Sequence, residues 1–324
     1  MATVIRKMVN AAATVTHTFE VGETPTDPTG TPTYTIVDAN GTAVADGNAT
    51  VVGGGTGQVT APIAAQTSLR LLTVTWSATV GGVARVETDL VEIVSGFFFT
   101  LAEGRSSDAS LVDQGKYTTA QLETARTETE VECELICNRS FLPRYARVVL
   151  DGTGGTEITL RHPDPERTPS EVRTLRRIAV APALDETFVD LTVAELAAVA
   201  VGDDGVLRRT DGLAWPWGRG NVVAEYELGY TVPPADLVRQ SLVRFRSRLN
   251  IHRSAIPDRA SSFTSADGGT FRLTMPEAYR TGLPEVDAVY ERYSRRARNR
   301  KAVPASRTLA YDPQRYSLFH GRGY

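Results

Sequence analysis

The first hundred residues alternate between apolar and polar positions in short runs that are separated by glycine-rich turns. The longest such run has its apolar positions at Leu72, Val74, Trp76, Ala78 and Val80. It is followed by a Gly-Gly pair and a second alternating run. A period of two predicts strands with one buried face, and Asn-Gly or Gly-Gly pairs predict tight turns. We therefore predict an all-β, immunoglobulin-like sandwich over residues 1–95, with Trp76 in its core.

Beyond Tyr117 the pattern becomes helical. Thr118 is a suitable N-cap, Gln121 can bond back to it, and Tyr117 can pack against Leu122. Apolar or small positions then recur at spacings of three and four residues, which predicts a helix over 118–140. These positions are Leu122, Ala125, Thr129, Cys133 and Ile136. The other face of this helix carries Glu123, Arg126, Glu130 and Glu134.

Two further helices are predicted near the C-terminal end. One follows Pro233-Pro234 and has an apolar stripe of Val238, Leu242, Phe245 and Leu249, and another opens at Pro284. We predict that the first two helices pack together through a shared core. Its members are Leu122, Ala125, Cys133 and Ile136 on one helix and Val238, Leu242 and Phe245 on the other.

The sequence between the helices predicts strands, and the end of the chain has no clear period. The fold class that follows is multidomain α+β. Its predicted units are the sandwich (1–95), a helical domain (96–306) with a β insert at about 144–230, and an extended tail (307–324). The tail contains aromatic residues that a solvated segment has no reason to concentrate, so we expect it to dock on another surface; a basic tail with incidental aromatics is the alternative.

The overall composition is ordinary, but the charged residues are unevenly distributed along the chain. The 324 residues are 41% hydrophobic and 23% charged with a net charge of −3, which is ordinary for a folded protein. No apolar run approaches the length of a membrane span, and the start lacks a signal peptide, so use in a cytoplasm is expected. Residues 1–100 carry four basic and eight acidic residues, whereas 290–324 carry nine basic and two acidic residues. This asymmetry predicts modules with different surroundings.

Candidate catalytic chemistry is sparse. Cys133 and Cys137 are too few for a disulfide framework, no further ligands complete a zinc site, and buried structural thiols are the simpler interpretation. The four histidines lie on four different predicted elements, and the common nucleophile and phosphate-loop motifs are absent from the sequence. We therefore predict no enzyme activity, no catalytic, cofactor-binding or metal residues, and no cofactor.

Three stretches resemble a known family. They are Tyr117-Thr-Thr-Ala-Gln-Leu continuing to Cys137-Asn-Arg-Ser-Phe-Leu-Pro-Arg, the Leu150-Asp-Gly hairpin with Ile158-Thr-Leu-Arg-His-Pro, and Val223-Ala-Glu-Tyr-Glu-Leu-Gly-Tyr-Thr-Val-Pro-Pro. In this order they resemble the head-to-tail connector (adaptor) proteins of tailed bacteriophages, over roughly half of the chain. The β-sandwich in front and the long C-terminal extension depart from the minimal family pattern.

The resemblance implies a structural virion protein that forms a ring, commonly of twelve copies. Such a ring docks on the portal protein, offers its other end to a stopper or tail-completion protein, and gives DNA a channel from capsid to tail. The implied location is the virion neck, after assembly in the cytoplasm of a bacterial host. Contact between the N-terminal domain and the capsid, and non-specific contact with DNA in the channel, are further expected partnerships.

Two sets of residues follow as candidate contact sites. Arginines are expected at the channel lumen or at subunit seams, where pairing with acidic residues of neighbouring subunits is the alternative to facing DNA. These are Arg244, Arg246, Arg248, Arg295, Arg296 and Arg298. Tail residues are expected to dock on the portal or on a neighbouring subunit. These are Tyr311, Arg315, Tyr316, Phe319 and Tyr324.

Two other functional classes stay open at this point. The sandwich suits a carbohydrate- or surface-binding protein, and the basic C-terminal third suits a DNA-binding protein that acts in genome packaging. A ring, glycan-binding monomers, or monomers with steeply salt-dependent DNA affinity would distinguish the three hypotheses.

Overall fold

A computed structural model describes residues 4–163, 171–181, 187–202, 205–251, 262–264, 270–272 and 279–295. Of these residues, 42% lie in strands and 24% in helices. The protein is therefore mostly β.

The N-terminal region contains ten strands. They are β1 (Ile5–Met8), β2 (Ala13–Thr18), β3 (Glu20–Val21), β4 (Thr24–Pro25), β5 (Thr29–Asp38), β6 (Ala43–Asn48), β7 (Thr50–Val51), β8 (Gln58–Ile63), β9 (Arg70–Val80) and β10 (Val83–Val94). One sheet has the order β1-β10-β9-β5-β6 and a second has the order β2-β8-β7, while β3 and β4 form a small hairpin. The β1–β10 pair is parallel, and the other pairs of the two sheets are antiparallel.

The two larger sheets share one hydrophobic core. We call them, together with the β3–β4 hairpin, the N-terminal sandwich. Val15 on β2 and Val59 on β8 lie in the same cluster as Ile36 and Leu72 of the larger sheet. Trp76 lies on the central strand β9, opposite Tyr34 on one side and Glu87 on the other, and it is fully buried. The alternation of the sequence thus predicts the buried face of β9 correctly.

The rest of the chain combines helices with short strands. They are α1 (Leu101–Ser106), a 3-10 turn (Ala109–Val112), α2 (Thr119–Cys137), β11 (Arg144–Thr153), β12 (Glu157–Thr159), β13 (Val172–Val180), β14 (Val189–Asp190), α3 (Val193–Ala197), β15 (Val199–Val201), β16 (Val206–Arg209), β17 (Trp217–Leu228), α4 (Ala235–Ile251), β18 (Ser262–Thr264), β19 (Thr270–Arg272) and α5 (Pro284–Tyr293). The sheets have the orders β11-β17-β13-β14, β12-β16-β15 and β18-β19.

The strands from β11 to β17 enclose a core of their own. It includes Leu150, Leu207, Trp215 and Tyr226, all buried. The ladder between β11 and β17 shifts register between Leu150 and Gly152. Gly152 is required there, because a Cβ would lie 1.7 Å from the carbonyl oxygen of Pro216.

Helices α2, α4 and α5 pack around a separate core. Leu122, Ala125, Cys133, Ile136 and Phe245 are buried in it, and Val238 and Leu242 pack against it from α4. Thr118 caps α2 in a capping box with Gln121, as the sequence predicts, and Asn138 ends the helix in the left-handed conformation at φ 52°. Tyr117 is buried in the same core as Leu122.

The predicted fold class is wrong. The sequence predicts α+β with a helical adaptor domain, but a domain of that kind is not seen in the described part of the chain, where strands predominate. The region around 144–230, predicted as an insert, contributes seven strands and its own core, separate from the core around which the long helices pack. Long periodic runs signal helices clearly, while the many short strands between them are easily given too little weight.

Candidate functional site

A buried network of charged residues joins the N-terminal sandwich to the rest of the chain. Arg6 on β1 donates to Glu92 at 2.8 Å, and to Glu130 and Glu134 on α2 at 2.9 Å each. From the other side, Arg144 on β11 donates to Glu134 at 3.1 Å and to Glu130 at 3.3 Å. We call these five residues the charged joint, because they connect β1, β10, α2 and β11.

The charged joint lies almost entirely out of solvent. The side chain of Glu130 is 0% exposed and those of Arg6 and Arg144 are 5% exposed. Burial by itself disfavours the Arg6 charge, but Glu92, Glu134 and Glu130 outweigh that effect and raise the pKa of Arg6 above its usual value. Ion pairs buried to this degree make the removal of one member costly.

Sequence reasoning missed the charged joint. Glu130 and Glu134 belong to the face of α2 opposite the apolar stripe, which ordinarily faces solvent. The only signal in the sequence is that Glu123, Arg126, Glu130 and Glu134 repeat at the same three- and four-residue spacing as the apolar residues. That spacing indicates that the four residues share one face of α2, but it does not indicate which residues of the chain cover that face.

A second polar contact ties the sandwich to the β11–β17–β13 sheet. Asn40, in the turn between β5 and β6, donates to Glu225 at 2.7 Å. Its carbonyl oxygen accepts from Arg147 at 3.0 Å and from Arg177 at 3.1 Å. One amide thus bonds to residues of three neighbouring strands, which fixes the orientation of the sandwich together with the charged joint.

Two of the stretches that carry the family resemblance meet in space. Tyr230, just after β17, stacks on Phe141 at 6.0 Å between ring centroids, and its hydroxyl accepts from Arg139 at 2.7 Å. Gly229 has φ +109°, and a Cβ there would lie 2.3 Å from the carbonyl oxygen of Leu142. Glycine is therefore needed for β17 to pass so close to the segment that follows α2. We call this contact the Gly-Tyr junction.

The arginines of α4 are largely paired within the chain. Arg244 binds both carboxylate oxygens of Glu132 at 2.7 and 2.8 Å, and Arg248 donates to Glu128 at 2.9 Å. Arg246 donates to the carbonyl oxygen of Ser107 at 3.1 Å. Arg295, beyond α5, lies 3.5 Å from Glu171. The sequence predicts acidic residues of neighbouring subunits as an alternative to DNA. Arg244 and Arg248 instead pair with acidic residues of their own chain.

The Arg244–Glu132 pair gives a testable prediction. We expect Arg244→Ala to lower the free energy of unfolding by about 1–3 kcal/mol, because it removes two charge-assisted hydrogen bonds of a largely buried side chain. Arg239→Ala on the same helix is the matched control, since Arg239 is exposed, and it should change stability by less than about 0.5 kcal/mol. Urea denaturation measures both; equal losses would contradict the prediction.

Several predicted contact residues lie outside the described residues. These are Arg296 and Arg298 among the arginines, and Tyr311, Arg315, Tyr316, Phe319 and Tyr324 of the predicted docking tail. Their roles stay predictions.

The two cysteines are free and buried in the helical core. Burial raises the pKa of the Cys133 thiol well above its usual value, and Cys137 donates to the carbonyl oxygen of Tyr290 at 3.4 Å. The Cys133 thiol, which burial holds protonated, is a poor nucleophile and a poor metal ligand. Over the described ranges, no group of three or more His, Cys, Asp or Glu residues could hold a metal ion.

Several large apolar side chains between β11 and β17 are exposed to solvent. Trp217, at the start of β17, is 80% exposed, and its ring lies over Gly154. The other exposed apolar residues of this region include Val149, Phe188, Val189, Val193 and Leu213. Isolated exposed apolar residues are ordinary on a protein surface, but a tryptophan exposed to this degree is a candidate anchor for contact with another protein.

Comparison with known proteins gives no further information on the site. The sequence matches no protein-family model, and none of the curated proteins compared with it matches either. No helix among the residues described is both long and apolar enough to cross a membrane.

Proposed function

We propose that this chain is a structural subunit of a bacteriophage neck, which assembles into a ring between the portal and the tail and leaves a channel for DNA. The proposal rests on the family resemblance and on one structural observation, the Gly-Tyr junction. Residues from the first and third resembling stretches, far apart in sequence, contact each other directly through Tyr230 and Phe141. The two stretches therefore belong to one packed unit of the structure, as parts of a single motif would.

The distribution of polar and apolar groups supports an assembly role. The charged joint and Asn40 hold the sandwich against the rest of the chain, so that a subunit can present its surfaces in a fixed orientation. Trp217, which is 80% exposed at the start of β17, then supplies an anchor for a neighbouring copy. Head-to-tail contacts between such copies close into a ring when the rotation per subunit permits it.

The α4 arginines support only a modest role for DNA contact. Arg244 and Arg248 are neutralised by glutamates of α2. Arg246 lies close enough to Asp108 to help to lower the pKa of that carboxyl, which is set mainly by the hydrogen bond from the Ser110 backbone N–H. In the proposed ring, α4 therefore serves mainly the packing of the subunit. DNA passage needs a wide channel of suitable charge and no base-specific contacts.

Substitution of Trp217 tests the assembly role. We expect Trp217→Ala to weaken self-association by roughly 30-fold or more, as for a central interface tryptophan worth about 2 kcal/mol. The stability of the isolated subunit should hardly change, because the side chain is 80% exposed. Analytical ultracentrifugation measures the association, and negative-stain electron microscopy shows whether rings form.

Val86→Ala is the matched control, since Val86 is 69% exposed but lies on the sandwich. It should leave association unchanged. Rings at the portal vertex of virions labelled on this chain would support the proposal. Purified wild-type protein that stays monomeric, binds glycans or binds DNA with a steep salt dependence would instead favour one of the two other functional classes.

A further inference from the structure

His17 occupies an unusual position between the two sheets of the N-terminal sandwich. It lies on β2, beside the buried Val15 and Phe19, and its ring stacks on Trp76 of the other sheet at 5.5 Å between centroids. Phe19 contacts the same ring edge-on at 4.7 Å. The imidazole is thus enclosed by aromatic residues on two sides.

Both ring nitrogens of His17 point at carboxylates on β10. Nδ1 lies 2.8 Å from Asp89 Oδ2, and Nε2 lies 3.0 Å from Glu87 Oε2. The same Asp89 oxygen accepts the indole N–H of Trp76 at 2.9 Å. Arg85 is the other charged group nearby, with its guanidinium 3.8 Å from Glu87 Oε1.

The chemistry of these groups requires a charged histidine. An ionised carboxylate accepts hydrogen bonds and cannot donate them, so two such bonds need an N–H on each ring nitrogen. A neutral imidazole has only one N–H, and its other nitrogen would direct a lone pair at a negative oxygen. The observed geometry is therefore that of the imidazolium.

We propose that His17 is a proton-dependent latch between the two sheets: the imidazolium binds Asp89 and Glu87 together, and loss of one proton releases Glu87 while Asp89 stays bound. Asp89 is held in place by Trp76, and its side chain is 23% exposed. Glu87 is 33% exposed and can turn towards Arg85 and solvent. The proton that leaves is accordingly the one on Nε2.

The charges around His17 also favour its protonated form. Burial alone lowers the pKa of His17, but Asp89 and Glu87 outweigh it and raise that pKa above the ordinary value of 6.5. The stability that the charged form contributes is fully present below pH 6.5. It is lost as the pH rises through the raised pKa of the folded protein.

Nitrogen-15 NMR of the histidine side chains in the full chain tests this proposal. Over a titration from about pH 5 to 9, His17 should change charge above pH 6.5, and its neutral form should carry the proton on Nδ1. Most neutral histidines in water carry it on Nε2. A midpoint at or below 6.5, or a neutral form protonated on Nε2, would overturn the latch.

The substitution Glu87→Gln distinguishes a proton-dependent role of His17 from a purely structural one. Glutamine can donate to the unprotonated Nε2, so the His17 midpoint should move down and the loss of stability above pH 6.5 should shrink. Glu20→Gln is the matched control, because Glu20 is exposed on the neighbouring strand β3. A midpoint that responds equally to both substitutions would count against the proposal.

Discussion

Replacement of Glu134 by alanine is expected to lower the free energy of unfolding by about 3–5 kcal/mol. Glu134 is 1% exposed and bonds to Arg6 at 2.9 Å and to Arg144 at 3.1 Å. Its removal leaves two buried guanidinium groups with fewer counter-charges, and neither can reach water without disrupting the packing around it. Chemical denaturation followed by circular dichroism measures the loss.

Glu123 on the same helix provides the control. Its side chain is 44% exposed and lies 3.6 Å from Lys7, which makes an ordinary surface ion pair. Glu123→Ala should cost less than about 1 kcal/mol. If both substitutions cost the same, the charged joint contributes no more than a surface pair, and its assigned role in fixing the sandwich is wrong.

Phe245→Ala should be comparably destabilising, at about 3–5 kcal/mol. Phe245 on α4 is fully buried, with its ring 5.2 Å from that of Phe99 and a ring carbon 3.1 Å from where a Cβ on Gly104 of α1 would lie. Truncation leaves a cavity that this close packing fills only in part. Val131→Ala, at a position of α2 that is 41% exposed, should cost less than about 0.5 kcal/mol.

The outcome for Phe245 also bears on the proposed assembly. A loss below about 1 kcal/mol in the free subunit, together with failed self-association, would place Phe245 at an interface between copies. The helical core described here would then be incorrect.

Local patterns in the sequence predicted local structure well. The alternation around Trp76 identifies the buried face of β9, and the Thr118–Gln121 capping box marks the start of α2. The stripe from Leu122 to Ile136 identifies the residues that lie in the helical core. Each of these features depends on neighbours within a few residues, which is the range over which periodicity and capping operate.

Long-range features could not be predicted in this way. Glu130 and Glu134 are buried because the sandwich, more than a hundred positions earlier, brings Arg6 against them. The carboxylates that bind His17 lie about seventy positions further along the chain. The fold class failed for a related reason: the short strands of β11–β17 reveal one shared core only once they are paired.

The charged joint also limits how this chain can exchange parts with other proteins. Arg6 and Glu92 lie in the N-terminal sandwich, whereas Glu130, Glu134 and Arg144 lie in the region behind it. A foreign sandwich spliced on at residue 95 would have to bring an arginine and an acid to the same places, or leave two buried glutamates to share Arg144 alone. The N-terminal sandwich and the region behind it are therefore compatible only when all five residues of the charged joint are present. These residues must be inherited, transplanted or redesigned as a set.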